Sequence, residues 1–226
     1  MQRLLIVEDE PALRRALTIN LRARSYDVVP VSDGHSALRA AAASPPDLVV
    51  VDLGLPDMDG IEVIAGLRGW STVPIIVLSA RDSQTEKVRA LDAGADDYVT
   101  KPFGMDEFIA RVRAALRRAD IPQLTTGPVI ETAEFTLDLA AKRATREGAE
   151  VRLTPTEWHL VEALVRHPGV LVAGTKLLSE VWGPGYEKET NYLRVYFAQI
   201  RRKLETDPSQ PRHFVTEPGL GYRYEA

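Results

Sequence analysis

The segment LVVVDLGLPDMDG, residues 48–60, decides the fold of the N-terminal half of the chain. An uninterrupted apolar run rich in β-branched residues, Leu48–Val51, stands directly before Asp52. Such a run is typical of a strand that is covered on both faces of a parallel sheet. Because the carboxyl ends of parallel strands lie along one edge, the segment predicts an acidic group at the edge where ligands bind.

Four similar runs flank this segment, and helical patterns follow the strands. The other predicted strands are Leu4–Val7, Asp27–Val31, Ile75–Leu78 and Asp97–Val99. The clearest predicted helices are Ala12–Arg24, Ala37–Ala43 and Met105–Arg118. This alternation predicts an α/β doubly wound, five-stranded parallel sheet over residues 1–118.

The composition of the whole chain limits the remaining possibilities. Its 226 residues are 45% apolar and 27% charged, which suits two soluble domains. The absence of cysteine excludes disulfides, thiolate metal sites and a cysteine nucleophile. No apolar stretch approaches the length of a membrane span, so we expect a cytoplasmic protein without membrane insertion. The net charge of −4 provides no global basic field for nucleic acid.

The C-terminal half predicts a separate α+β domain. Residues 119–128 contain two prolines and a glycine without periodicity, which predicts a linker. Residues 129–226 then predict a β-like stretch, three helices and a terminal hairpin. These elements are Val129–Arg152, the helices Pro155–Arg166 (capped by Thr154), Thr175–Trp182 and Thr190–Glu205, and the hairpin His213–Tyr224.

Side chains suited to phosphoryl transfer stand at the ends of the predicted parallel strands. They are Glu8, Asp9, Asp52, Ser79 and Lys101. Converging carboxylates favour a hard divalent cation such as Mg²⁺. We expect Asp52 to be the nucleophile, the three acids to hold the metal and its water, and Lys101 and Ser79 to bind phosphoryl oxygens. Helix capping explains any one of these residues, but not all five together.

The strings IVEDE, DLGLPDMDG, LSA, GADDY and KPF, in this order, resemble the receiver domain of two-component response regulators over residues 1–118. The resemblance implies that Asp52 accepts a phosphoryl group from a sensor histidine kinase or an acyl phosphate, without being a turnover enzyme. It implies Mg²⁺ or Mn²⁺ ligation by Glu8, Asp9, Asp52 and the carbonyl of Gly54, and a switch pair formed by Ser79 and Tyr98.

Charged residues near the end of this domain resemble the dimer interface of OmpR/PhoB-type regulators, which implies a homodimer on activation. The implied bridges between protomers are Lys87–Glu107, Asp97–Arg111 and Asp96–Arg118. For any single pair the alternative is a solvated surface, where an ion pair contributes little. Three complementary pairs on one face favour the interface.

The predicted helix Thr190–Glu205 has two faces. An apolar stripe contains Leu193, Tyr196, Phe197, Ile200 and Leu204, and the other side carries Asn191, Arg194, Ala198, Arg201 and Arg202. The polar face fits a DNA major groove, with arginine on guanine or phosphate and asparagine on adenine or phosphate. From charge alone, a helix face that is only exposed to solvent explains these residues as well as a DNA-binding face does.

The strings LTPTEWHLVEALVRHPGVLV, NYLRVYFAQIRRKLE and HFVTEPGLGYRYEA resemble the winged helix-turn-helix effector of the same family. The resemblance implies double-stranded promoter DNA and RNA polymerase as partners, with the long helix in the major groove and the hairpin as the wing. The implied DNA-binding residues are Asn191, Arg194, Arg201, Lys203, Thr216, Gly221, Tyr222 and Arg223. The four aromatic residues Trp158, Trp182, Tyr196 and Phe197 are expected to fill the core.

Within the family, the strings DLGLPDMDGIEVI and EVWGPGYEKETNYLRVY are most similar to regulators of high-affinity potassium-transport operons, which act with a dedicated sensor kinase. Regulation of another operon stays open. A magnesium-dependent phosphatase of the haloacid dehalogenase type is a further alternative, although such enzymes usually carry a second Asp where this chain has Gly54. A winged helix that contacts only protein is the third alternative.

Overall fold

The computed structural model describes residues 1–81, 83–120 and 128–226. These residues form two compact units, Met1–Ala119 and Asp120–Ala226. Most of the predicted linker, residues 119–128, lies outside the described residues. Within the described ranges, no helix combines the length and apolar character needed to cross a bilayer.

The first unit contains the predicted five-stranded parallel sheet. Its strands are β1 (Arg3–Val7), β2 (Asp27–Val31), β3 (Leu48–Asp52), β4 (Ile75–Ser79) and β5 (Asp97–Thr100). They are ordered β2-β1-β3-β4-β5, so the strand order reverses between β1 and β3. Every residue of β3 and β4 is buried, because helices cover both faces of the sheet. The doubly wound fold is confirmed.

Among the described residues, four helices connect these strands and a fifth follows β5. They are α1 (Pro11–Arg22), α2 (Gly34–Ala43), α3 (Gly60–Arg68), α4 (Gln84–Asp92) and α5 (Met105–Ala119). Helix α2 begins earlier than predicted because the Asp33 carboxylate accepts a hydrogen bond from the Ser36 amide and caps the first turn. The apolar face of α5, including Phe108 and Val112, is buried against the sheet.

The second unit is α+β. Its strands are β6 (Val129–Glu131), β7 (Phe135–Asp138), β8 (Arg143–Arg146), β9 (Ala149–Val151), β10 (Val172–Ala173), β11 (Phe214–Glu217) and β12 (Gly221–Tyr224). The first four strands form one antiparallel sheet, and the last three form a second sheet in the order β10-β12-β11. The helices are α6 (Pro155–Val165), α7 (Gly174–Trp182) and α8 (Thr190–Leu204). The winged-helix architecture is confirmed.

Local sequence explains where α6 begins. The Thr154 hydroxyl accepts from the Glu157 amide at 3.3 Å, and the Glu157 carboxylate accepts from the Thr154 amide at 2.6 Å. This reciprocal capping box satisfies two amides that the first helical turn leaves without partners. The predicted Thr154 cap is therefore present. The four aromatic side chains expected in the core are all buried.

Candidate functional site

The carboxyl ends of β1 and β3 bring three acidic side chains together. Oxygen atoms of Glu8, Asp9 and Asp52 lie within 4.8 Å of one another. Glu8 is fully buried, Asp52 is 7% exposed and Asp9 is exposed. The adjacent central strands therefore place an all-oxygen, solvent-accessible acidic cluster at the edge that the sequence predicted.

Lys101 balances the charge of this cluster. Its ammonium nitrogen lies 2.7 Å from Asp52 Oδ2 and 2.8 Å from Glu8 Oε2. Burial lowers the pKa of Lys101, but its hydrogen bonds to both carboxylates outweigh burial, and the pKa is raised above its ordinary value. Burial, together with the charge of Asp52, raises the pKa of Glu8. The peptide bond between Lys101 and Pro102 is cis.

Three contacts that involve backbone atoms hold the acidic residues in place. The Arg14 guanidinium donates to the carbonyl oxygens of Glu8 and Asp9, at 2.7 and 3.0 Å. The Gly54 amide donates to Asp52 Oδ1 at 3.2 Å. Gly60 leaves room for β3, because a Cβ atom at that position would lie 2.2 Å from the Asp52 carbonyl oxygen. Sequence reasoning missed Arg14 and Gly60, since contacts to backbone atoms have no sequence signature.

The predicted switch residues, Ser79 and Tyr98, are both buried and both contact the backbone of Arg81. Ser79 Oγ accepts from the Arg81 amide at 3.1 Å, and the Tyr98 hydroxyl donates to the Arg81 carbonyl at 2.5 Å. The Arg81 side chain pairs with Glu86 on α4 at 3.1 Å. Arg81, which the sequence reasoning did not single out, therefore joins the two side chains to the start of α4.

The charged residues predicted at a dimer interface have contacts within this chain. Arg111 lies 3.1 Å from Asp97 and 2.7 Å from Glu107. Asp96 is 1% exposed, and its carboxylate accepts from Arg68 and from a backbone amide of β4. Arg118 is buried, and Lys87 is partly buried. The predicted bridges Asp97–Arg111 and Asp96–Arg118 thus involve acids that already have partners in the same chain.

Helix α8 has the predicted division into two faces. All five residues of the predicted apolar stripe are buried, and Tyr192 and Val195 join them. On the polar face, Arg194 is exposed and Asn191 is partly exposed. These two side chains are therefore accessible for a groove contact.

Four other predicted DNA-binding side chains, those of Lys203, Arg201, Thr216 and Arg223, have partners within the domain. The Lys203 ammonium lies 2.6 Å from the buried Glu157 carboxylate. Arg201 donates to Thr216 Oγ1 at 2.6 Å, and Arg223 lies 2.7 Å from Glu217. Their positions on the helix and wing agree with the sequence, but the structure gives each of them an internal contact that the sequence did not predict.

The remaining two wing residues, Gly221 and Tyr222, are buried. The Tyr222 ring stacks on Phe197 of α8, with ring centroids 3.9 Å apart, and burial raises the pKa of its hydroxyl. A Cβ atom on Gly221 would lie 2.0 Å from the Val172 carbonyl oxygen of β10, so only glycine allows this close approach. Both residues join the wing to the domain core.

Comparisons with known proteins agree with this geometry. Residues 4–113 match the family described as "Response regulator receiver domain". Residues 148–224 match "Transcriptional regulatory protein, C terminal". The first match covers the acidic cluster, and the second covers α6, α7, α8 and the wing.

The chain is also similar to individual proteins along its whole length. It is 62% identical to the transcriptional regulatory protein KdpE of Mycobacterium tuberculosis (strain H37Rv), over 100% of both chains. It is 47% identical to the KDP operon transcriptional regulatory protein KdpE of Escherichia coli (strain K12), over 99% of both chains. A solved structure of a RitR mutant has a TM-score of 0.80 at 25% identity, covering 100% of this chain and 99% of the other.

Proposed function

This chain belongs to the OmpR/PhoB-type response regulators of two-component systems, and from this premise we propose that phosphorylation of Asp52 controls its binding to promoters of potassium-transport genes. As a response regulator it acts with a histidine kinase and with DNA. A kinase of the KdpD type is the proposed phosphoryl donor. The potassium-transport assignment is supported by the names of the two full-length relatives.

The single observation that carries the phosphoacceptor proposal is the position of Asp52, which contacts Lys101 and lies beside the two acids that follow β1. An accessible cluster of three carboxylates, one of them fully buried, is a donor set that suits Mg²⁺ or Mn²⁺. Glu8, Asp9 and Asp52, with the Gly54 carbonyl, would hold the ion. When bound, the ion supplies positive charge that offsets the charge of the phosphoryl oxygens.

The side chains of this chain have distinct roles in the proposed transfer. A carboxylate oxygen of Asp52 forms a bond to phosphorus, and the P–N bond of the kinase phosphohistidine breaks. The imidazole leaves with the electron pair of that bond and a proton from solvent. Lys101 and the Ser79 hydroxyl bind phosphoryl oxygens. Ser79 turns toward the phosphoryl group and gives up its contact with the Arg81 amide, and Tyr98, which donates to the Arg81 carbonyl, adjusts with Arg81.

The proposed output is a dimer that binds paired half-sites and recruits RNA polymerase. Asn191 and Arg194 are the proposed groove contacts because they are accessible on α8, and Arg223 is the proposed wing contact. The proposed interface pairs Lys87 with Glu107, Asp97 with Arg111 and Asp96 with Arg118 of the second copy. In such a dimer Arg111 would exchange its partners within the chain for partners on the second copy.

Promoter footprinting with and without acetyl phosphate and Mg²⁺ tests these steps together. We expect protection upstream of the potassium-transport genes to increase on phosphorylation and to stay at the basal level in the Asp52→Asn variant. Protection that is independent of phosphorylation would contradict the switch. Protection at other promoters only would contradict the potassium-transport assignment but not the DNA-binding function.

A further inference from the structure

The wing, formed by β11, β12 and the turn between them, is fastened to α8 by two side chains one helical turn apart. Arg201 Nε donates to the Phe214 carbonyl at 2.7 Å. Glu205, the residue that caps the end of α8, accepts from the Phe214 amide at 2.8 Å. Both backbone hydrogen-bonding groups of Phe214, the first residue of β11, are therefore held from α8.

The same two side chains reach further along the hairpin. The second nitrogen of the Arg201 guanidinium donates to Thr216 Oγ1 at 2.6 Å, two residues beyond Phe214. The Glu205 carboxylate is 1% exposed and also accepts from the Arg212 amide at 2.5 Å. The wing is thus held at residues 214 and 216, and the segment that leads into it is held at residue 212. We call this set of contacts from Arg201 and Glu205 the wing clamp.

We propose that Arg201 and Glu205 are positioning residues for DNA recognition, which hold the wing at a fixed place relative to α8. The inference rests on the proposed DNA-binding roles of α8 and the wing, and it changes the role that the sequence predicted for Arg201. A groove contact needs a side chain that is free to extend toward DNA, whereas the guanidinium of Arg201 is turned back onto β11.

The physical benefit of the wing clamp is preorganisation. A wing that moved independently would have to be ordered when DNA binds, and this loss of entropy would weaken affinity. With the clamp in place, α8 and the wing meet DNA as one rigid surface. Arg201 then acts through the wing residue Arg223 and makes no direct contact with a DNA phosphate.

Arg201→Lys separates the positioning role from a direct phosphate contact. Lysine keeps the positive charge, so a direct phosphate contact predicts nearly unchanged DNA affinity. A single ammonium group cannot reproduce the planar fork that reaches both the Phe214 carbonyl and the Thr216 hydroxyl. We therefore expect Arg201→Lys to lose DNA affinity about as much as Arg201→Met does, on the order of tenfold.

The probe is a DNA duplex that the full wild-type chain selects from a random-sequence library, and affinity is measured at one fixed salt concentration. A double-mutant cycle combines Arg201→Met with Arg223→Ala. We expect the affinity of the double variant to be no lower than that of the single variant that binds DNA less tightly. Additive losses of binding free energy, or wild-type affinity in Arg201→Lys, would overturn the positioning role.

Thr216→Val provides a second route if the Arg201 variants fold poorly. It removes one partner of the wing clamp from the wing side, and we expect a loss of about threefold in affinity, since one hydrogen bond is removed. Unchanged affinity, or a lowered melting temperature alone, would overturn the inference. A wild-type chain that selects no duplex would overturn the DNA-binding function and this inference with it. Selection of a duplex that Arg201→Lys binds normally would overturn only the inference.

Discussion

Replacing Lys203 by methionine should destabilise the C-terminal domain rather than only weaken its contact with DNA. The Lys203 ammonium lies 2.6 Å from Glu157, whose side chain is fully buried. Glu157 Oε1 has no hydrogen-bond partner among the described residues, whereas Oε2 accepts from the Thr154 amide and from the Lys203 ammonium, which supplies the compensating charge. Losing a charged partner of a buried group costs about 3 kcal/mol or more. Because the Lys203 side chain is 33% exposed, water offsets part of this loss.

We therefore expect the free energy of unfolding to fall by about 2 kcal/mol in the Lys203→Met variant. With a urea dependence of about 2 kcal/mol per molar, the midpoint of unfolding should move down by about 1 M. Tryptophan fluorescence is the assay, in a Trp70→Phe background. The remaining two of the three tryptophans, Trp158 and Trp182, are both in the second unit and report its unfolding.

The exposed Lys176 on α7 provides the matched control. Lys176→Met should change the free energy of unfolding by less than about 0.5 kcal/mol, which is usual for a surface site. If Lys203→Met behaved like this control, the buried ion pair would have no structural role. Lys203 would then be available for the phosphate contact that the sequence predicted.

Three further predictions concern the receiver domain. Hydrogen bonds from the amides of His35 and Gly34 hold the pKa of Asp57 well below its ordinary value. Asp57 thus stabilises the fold above pH ~4, and this contribution is lost as pH falls. The melting temperature of the Asp57→Asn variant should therefore fall less on acidification than that of the wild type. Gly60→Ala should destabilise the domain by about 2 kcal/mol, measured by urea unfolding, because its Cβ would strike the β3 backbone. Lys101→Met should slow phosphorylation by acetyl phosphate about 100-fold, measured by gel mobility, because a cation at the phosphoryl oxygens is lost.

Each of these predictions has a contrary outcome. Equal acid sensitivity in Asp57→Asn would mean that the carboxylate does not stabilise α2. Gly104→Ala is the control for Gly60, since a Cβ there would meet its nearest neighbour only at 4.0 Å. Equal stability of both alanine variants would contradict the steric argument. Wild-type phosphorylation in Lys101→Met would remove Lys101 from the proposed transfer.

The elements and the acidic cluster were predictable because their signals are local or topological. A buried apolar run such as Leu48–Val51 predicts its own strand, and parallel pairing then brings the strand ends together without knowledge of side-chain contacts. The partners of Lys203 and Arg201 were not predictable in this way. Helical periodicity gives the face on which a side chain stands, but the partner of Lys203 lies 46 residues away and that of Arg201 lies 15 residues away.

The two hydrogen bonds at Arg81 have a consequence for timing. Ser79 accepts from the amide of Arg81, and Tyr98 donates to its carbonyl. The loop that contains Arg81 therefore changes conformation when these two hydrogen bonds break. Loop motions of this kind take nanoseconds to microseconds. The loop would therefore follow the chemical state of Asp52 almost without delay. The time for which the protein stays activated after a signal ends would then be set by the lifetime of the acyl phosphate bond and not by the loop.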